Sequence, residues 1–399
     1  MYKKLVFLNI LIVLTLFIFS KTYSTNLLFL TYDYGDTNAF KAILPSLKKN
    51  NFDYEVIALG KSKDLFQNNL VNEVNCLSNF DNDFLIKDRN NTITKSNIEC
   101  LKNTLINKPD IIVSGMSSAA LADILNSYSS QAKIAYYDNF DPYPENSKTY
   151  YTNSFVTRLN NYSLDSVFIT SETIKSSFIK NFNNKKFVKD TKENFLAVGN
   201  PSIISWETDL IKCSTREEIK AKLNIPKNKK IVVFAGDMTP DYAIAVEHFA
   251  KALKEMPNYE AIVSPHPKTN GEIERNIKEK YQINNMIIAS PSDIATICLT
   301  NLSKVFIVHK SSMGIQALSN DKNVIYIADS SYENIAIQKA VAKRAFSTNN
   351  IINTIQNEYN KKASNEYSKL GIPKYPIKSF IDKLNKIRNT KADNLAVLL

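Results

Sequence analysis

The chain has 399 residues, 44% of them hydrophobic, which is enough for sizeable cores and suggests two or three domains. That composition excludes a disordered or collagenous chain. The formal charge of +11 comes without a tight Lys/Arg run interleaved with aromatics, so nucleic acid is not an expected partner.

At the N-terminus Lys3 and Lys4 precede an uncharged run over residues 5–19. A positive n-region followed by an apolar h-region of about 15 residues suits a secretory signal peptide. It falls short of the roughly 20 residues that a spanning helix needs. Residues 1–24 are therefore expected to be a signal peptide cleaved before Thr25. The folded chain would then be exported, periplasmic or secreted, with no stable membrane span. An uncleaved type II signal anchor is the alternative. Cleavage would remove Lys3, Lys4 and Lys21 and leave about +8 (11 − 3).

Residues 26–31 read as a buried strand and residues 38–49 as a helix with Phe40, Ile43, Leu44 and Leu47 at helical spacing. Asp36 or Thr37 is the expected N-cap. The intervening turn holds a single glycine, Gly35, a candidate for close ligand approach but not a dinucleotide fingerprint. Residues 54–59 form the second strand, and residues 64–97 are a polar surface excursion. A helix over 98–106 leads to a strand over 110–113 and a helix over 119–128. The small-residue turn between the last two carries Ser117 and Ser118, which could accept an anion at the helix N-terminus or simply cap it. A strand over 133–137 ends in Asp138-Asn139-Phe140-Asp141-Pro142. Asp138 there is a candidate general base, because a partly desolvated carboxylate can be tuned upward. Its alternative role is a local turn. Strands at 166–170 and 195–198 complete this half, and the best domain junction lies near residues 200–225.

The second half opens with a strand over 230–235, then Gly236 and Asp237, then a helix over 241–254. Gly236 is placed to let backbone approach a ligand, and Asp237 to cap the helix or contact a substrate. Further strands are expected at 261–263, 286–288, 304–308 and 323–327, with helices at 271–281, 292–299 and 312–318 between them. Strands alternating with helices imply parallel sheets, whose ligands bind beyond the strands' carboxyl ends. Two polar constellations fall there, at what this reading takes to be adjacent strand ends. His266-Pro267-Lys268 offers an imidazole and an ammonium for a phosphate or a leaving group. Ser311-Ser312 offers two hydroxyls at a helix start, with His309 and Lys310 at the rim. Residues 331–346 read as helical, residues 349–361 as a helix, and residues 377–388 as a helix returning across the cleft. Cys76 and Cys100 could pair, Cys298 reads as a buried thiol, and Cys213 is unassigned. No Cys/His spacing suggests a metal site, and no cofactor is expected.

The strings VGNPS (198–202), LNIPKNKKIVVFAGD (223–237) and FIVHKSSMGIQAL (306–318) followed by KNVIYI (322–327) resemble the GT-B glycosyltransferase superfamily. The resemblance implies an α/β fold of two Rossmann-like domains facing a cleft. The expected division is an acceptor-side domain over 25–200, a donor-side domain over 201–375, and a C-terminal helix and tail over 376–399. His266-Pro267 and Ser311-Ser312 are similar to the His-Pro and Ser-Ser motifs with which bacterial sialyltransferases and polysialyltransferases hold a CMP-sugar. Asp138-Asn139-Phe140 stands where those enzymes carry an acidic pair and a glycine; the second acid and the glycine are absent here. Gln316 stands where many GT-B enzymes place a ribose-binding Glu. The implied activity is metal-independent inverting glycosyl transfer from a nucleotide sugar in the interdomain cleft. Alternatives are an inactive GT-B-like protein that binds a glycan, another anionic ligand or a protein partner, and a nucleotide-sugar 2-epimerase-like enzyme.

Overall fold

The structure, a computed structural model, describes residues 24–60, 62–66, 93–142, 150–182, 188, 193–267, 269–362 and 366–396. Residues 1–23 of the expected signal peptide, Cys76 and Lys268 lie outside the described residues. Among the described residues no helix is long and apolar enough to cross a membrane.

Among the described residues, twelve strands form two parallel sheets. The first contains β1 (Thr25–Thr31), β2 (Phe52–Ala58), β3 (Ile111–Gly115), β4 (Ala132–Tyr137), β5 (Ser166–Ile169) and β6 (Phe195–Ala197), in the order β2-β1-β3-β4-β5-β6. The second contains β7 (Lys230–Ala235), β8 (Tyr259–Ser264), β9 (Met286–Ile288), β10 (Val305–Val308), β11 (Asn323–Ile327) and β12 (Lys343–Ala345), in the order β12-β11-β10-β7-β8-β9. Helices cover both faces, which explains why runs such as Leu27–Leu30 and Val305–Val308 are buried along their whole length rather than alternating. These are the two Rossmann-like halves expected of a GT-B-like chain.

The halves share a core. One cluster of buried side chains runs from Leu28 and Ile112 through Ile203 and Ile225 to Val308 and Tyr326. The helix Ser202–Ile211 lies in this junction, against the helix Tyr34–Leu47 on one side and the helices Thr296–Leu299 and Met313–Ser319 on the other. The C-terminal helix Pro376–Ala396 crosses back to the first half, where Phe380 meets Phe40, Tyr136 and Phe168 at ring-centroid distances of 6.5, 5.5 and 5.0 Å. Gly199, at φ +85°, permits that return, since a Cβ there would stand 2.7 Å from Pro376 Cβ.

Several sequence expectations need correction. Residues 331–346 are not one helix. A single turn, Ile335–Gln338, is capped by Asn334, whose Oδ1 accepts from Ile337 N at 3.0 Å. The chain then turns through Ala340 at φ 54° and enters β12, which pairs with β11. A left-handed residue cannot continue a helix. The helix Ser202–Ile211 was not expected within the junction. The N-cap of the first helix is Asp33, with Asp36 at N3 completing a capping box, so neither Asp36 nor Thr37 caps it. Cys298 is not a buried thiol: it is disulfide-bonded to Cys213, Cα–Cα 5.3 Å, and so ties the linker after the helix Ser202–Ile211 to the second half. Cys100 is disulfide-bonded as well.

Candidate functional site

The carboxyl ends of the two sheets face one another, and the polar residues collect there. His266 and Ser311-Ser312 follow β8 and β10, which are not adjacent: β7 runs between them. Their convergence therefore depends on the end of β7. Gly236 supplies it, because a Cβ would lie 2.7 Å from His266 N and 2.9 Å from Pro265 Cα. Its missing side chain is filled by the Ser264–His266 backbone, and Gly236 N donates to Ser264 O at 2.7 Å. Asp237 does not cap a helix. Its Oδ1 accepts from Met238 N (2.6 Å) and Thr239 N (3.2 Å), and its Oδ2 accepts from Lys310 N at 3.1 Å, which ties the β7 loop to the β10 loop.

His309 is fully buried, with Nδ1 2.5 Å from Ile327 O and Nε2 3.3 Å from Asp241 Oδ1. Lys310 is ion-paired with Asp241. Burial works against the Asp241 carboxylate, but hydrogen bonds from Lys310 and His309 and their charges bring it down to about 2. Ser311 Oγ accepts from Met313 N at 3.2 Å, while Ser312 makes no capping bond with its side chain.

These groups line a chamber of about 270 Å³ between the halves. From the second half come Asp237, His266, Lys310, Ser311, Ser312, Tyr326, Tyr332 and Asn334; from the first come Asp33, Asn139, Phe140 and Asp141. Larger hollows, about 580 and 440 Å³, lie around Ser129–Gln131 at the amino ends of the first sheet's strands. Ligands of open parallel sheets bind at the opposite ends, so the smaller chamber is the candidate site. Among the described residues no group of three or more His, Cys, Asp or Glu could hold a metal ion.

On the first half, three neighbouring strands, β1, β3 and β4, bring carboxylates and a serine together. Asp36 is buried; its Oδ1 accepts from Thr31 Oγ1 (2.8 Å) and Asp33 N (3.1 Å), and its Oδ2 accepts from Ser117 Oγ (2.6 Å). Burial pushes this carboxyl up to about 6, against those hydrogen bonds. Ser117 is thus held by Asp36, and Ser118 caps the helix Ala119–Asn126, its Oγ accepting from Ala120 N at 3.3 Å. Asp138 stands beside the chamber rather than in its wall: its Oδ2 is 1.8 Å from where a Cβ on Gly35 would be. Gly35 therefore makes room for Asp138.

The loop that carries Asp138 is fixed at four successive carbonyls. Asn200 Nδ2 donates to Asp138 O (3.1 Å), Thr170 Oγ1 to Asn139 O (2.6 Å), Ile335 N to Phe140 O (3.2 Å) and Tyr137 Oη to Asp141 O (2.8 Å). Tyr332 Oη adds a bond to Asp141 Oδ1 at 3.2 Å. Two of these five bonds come from the second half, so the loop is also the seam between the halves. Sequence reasoning missed Asp33, Asp36, Tyr326, Tyr332 and Asn334. Asp33 and Asp36 carried a signal, as acids after a strand. Tyr326 carried none, since a tyrosine in an apolar run reads as core, and neither did Tyr332, in a stretch that reads as helical.

Residues 209–361, which include all of the second sheet, match a family model described as capsule polysaccharide biosynthesis protein. No curated protein matches the chain. Among solved structures, UDP-GlcNAc 2-epimerase from Neisseria meningitidis bound to UDP-GlcNAc superposes with TM-score 0.62 at 14% identity, over 91% of this chain and 100% of that one. The S. aureus MnaA–UDP co-structure gives 0.69 at 11%, over 92% and 97%. A glycosyltransferase from Rickettsia africae gives 0.61 at 16%, over 93% and 100%. At such identities the likeness is one of fold, and in fold this chain is a GT-B-like α/β protein.

Proposed function

We propose that the chamber binds a nucleotide sugar and that the protein transfers its glycosyl unit to an acceptor without a metal, in the manner of the sialyl- and polysialyltransferases whose His-Pro and Ser-Ser motifs His266-Pro267 and Ser311-Ser312 resemble. The carrying observation is the convergence of His266, Ser311 and Ser312 on one chamber whose opposite wall is Asp33, Asn139 and Asp141. In this reading His266 and the two serines hold the leaving phosphate, where losing one such donor costs about 10²–10³ in rate. Asp138, beside the chamber, takes the proton of the acceptor hydroxyl as that oxygen attacks the anomeric carbon and the nucleotide leaves with the bonding pair. The match to a capsule polysaccharide family over the half that carries the motifs supports a glycan-building role. The test is thermal stability against CMP-, UDP- and GDP-sugars. A ligand at a hundred times its Kd stabilises by about 2.7 kcal/mol, and the shift should vanish in His266→Ala. A shift without turnover on any acceptor would point to the binding-protein alternative.

A second reading is favoured by one observation. Asp33, Asp36 and Asp138 crowd the acceptor side, and Asp36 is raised towards neutrality. Such carboxyls suit proton exchange at a sugar carbon, as in a nucleotide-sugar 2-epimerase-like enzyme. Incubation with UDP-GlcNAc in D₂O separates the two, because epimerisation would place deuterium at C2 and transfer would not.

We further propose that the protein works after export. The n- and h-region pattern and the Cys213–Cys298 disulfide both support an oxidising compartment. A mature N-terminus at Met1, read by mass spectrometry, would refute signal cleavage.

A further inference from the structure

One half of the molecule carries its charge. Residues 25–200 hold 19 Lys and Arg against 19 Asp and Glu, a net of zero, while residues 201–399 hold 28 against 20, a net of +8. Part of that excess gathers at the amino edge of the second sheet. Lys322, Lys304 and Lys230 stand at the starts of β11, β10 and β7, which are neighbours in the sheet. Val305 pairs with Asn323 and with Val232, so Lys304 is level with Lys322 and Lys230 lies one residue further out. Neighbouring strands are about 4.8 Å apart, so the three lysines form a short row. Lys361 joins it at the end of the helix Thr348–Asn360, where its carbonyl accepts from Asn323 Nδ2 at 3.4 Å. Lys230, Lys304 and Lys361 are exposed and Lys322 is half-buried. Among the described residues, Lys230, Lys304 and Lys322 have no carboxylate within ion-pair distance. Lys230 Nζ rests instead over the rings of Tyr259 and Tyr359, 5.4 and 5.3 Å from their centroids. Of the acids at this edge, Glu260 is buried and Glu358 is paired with Lys361 at 3.0 Å, which leaves Glu255 and Asp321. Burial first, and the Arg216 charge second, hold the Lys322 ammonium below its ordinary range, against the pull of Asp321. An anion brought to this edge would relieve that repulsion. Lysines at helix ends answer the helix dipole, but Lys230 and Lys304 lead into strands, so the dipole does not account for the row.

We propose that this edge is a docking surface for an anionic phospholipid membrane, to which the protein attaches peripherally. Strands that start at one level set their lysines on one plane, and a plane of headgroups meets all of them together. A single anionic chain would want a groove, and the hollows described above all lie elsewhere. Each lysine brought to an anionic surface strengthens the partition about five-fold. The first half, with no net charge, adds no competing attraction, so the molecule would dock in one orientation. β7 is six residues long, which sets the chamber at its carboxyl end about 20 Å off the membrane. The proposal does not depend on what the chamber binds.

The test is co-sedimentation of the full chain with vesicles of phosphatidylcholine alone and of phosphatidylcholine with phosphatidylglycerol. The readout is the difference between the two, because attachment through the apolar run at residues 5–19 would not depend on lipid charge. One variant combines Lys230→Gln, Lys304→Gln and Lys322→Gln. A control combines Lys48→Gln, Lys49→Gln and Lys108→Gln, which removes the same charge from exposed positions of the first half. Melting temperatures confirm that both variants fold. The wild type should prefer the anionic vesicles and be released by 0.5 M salt. The edge variant should lose about a hundred-fold of that preference, and the control should keep it. No preference in the wild type, an unchanged edge variant, or equal loss in both variants overturns the proposal. Retention on heparin without vesicle binding also overturns it, in favour of an anionic polymer.

Discussion

Asp36 offers the sharpest test of the site's electrostatics. Its carboxyl is raised from 3.8 to about 6, chiefly by burial. The folded state therefore holds this proton more tightly than the unfolded chain does. Stability from this group is present at acid pH and is lost as pH rises from about 4 through 6, since stability falls wherever the native state binds more protons. Over the full rise, at 1.36 kcal/mol for each pH unit, this amounts to about 3 kcal/mol. Between pH 4.5 and 7.5, where the unfolded group is already mostly ionised, the loss is about 2 kcal/mol. The perturbation is Asp36→Asn, which keeps an oxygen for Thr31 Oγ1 and Asp33 N and puts an amide opposite Ser117 Oγ. The assay is urea unfolding of wild type and variant at both pH values, with the difference between the proteins isolating this group. The variant should gain about 2 kcal/mol on the wild type in going from pH 4.5 to 7.5. Parallel pH profiles would show that Asp36 is not destabilised by burial, and the account of the first half's carboxylates would fall with it.

Other expectations follow from glycine positions and the disulfide. Gly35→Ala would set a Cβ 1.8 Å from Asp138 Oδ2, so it should cost about 1–3 kcal/mol or displace that carboxylate; crystallography of the variant distinguishes the two. Gly236→Ala, whose Cβ would meet backbone rather than a movable side chain, should cost at least as much and should disturb His266, visible as a changed imidazole NMR titration. Replacing Cys213 and Cys298 by serine opens a loop of 85 residues, and denaturant unfolding should show a loss of about 2–4 kcal/mol. Tyr332→Phe removes a bond across the seam, so hydrogen exchange should speed up at residues 138–142 and 332–338 while the β7–β8 pairing keeps its protection.

The alternation of apolar runs and helical periods was enough to predict two parallel α/β halves, because a strand buried on both faces and an amphipathic helix each write their period into neighbouring residues. It also placed His266, Ser311, Ser312 and Asp138 beyond strand ends, where ligands of such sheets bind. What it could not supply is which ends meet. Sheet order is set by contacts between segments far apart in sequence, so β7 turned out to lie between β8 and β10. Tyr332 reaches Asp141 across 191 residues, and Cys298 reaches Cys213 across 85. Local pattern carries no trace of such partners. For the same reason Asp36 read as a helix cap and Tyr326 as core. Only the tertiary structure, by burying one carboxyl against Ser117 and setting that tyrosine in the chamber wall, turned them into chemistry.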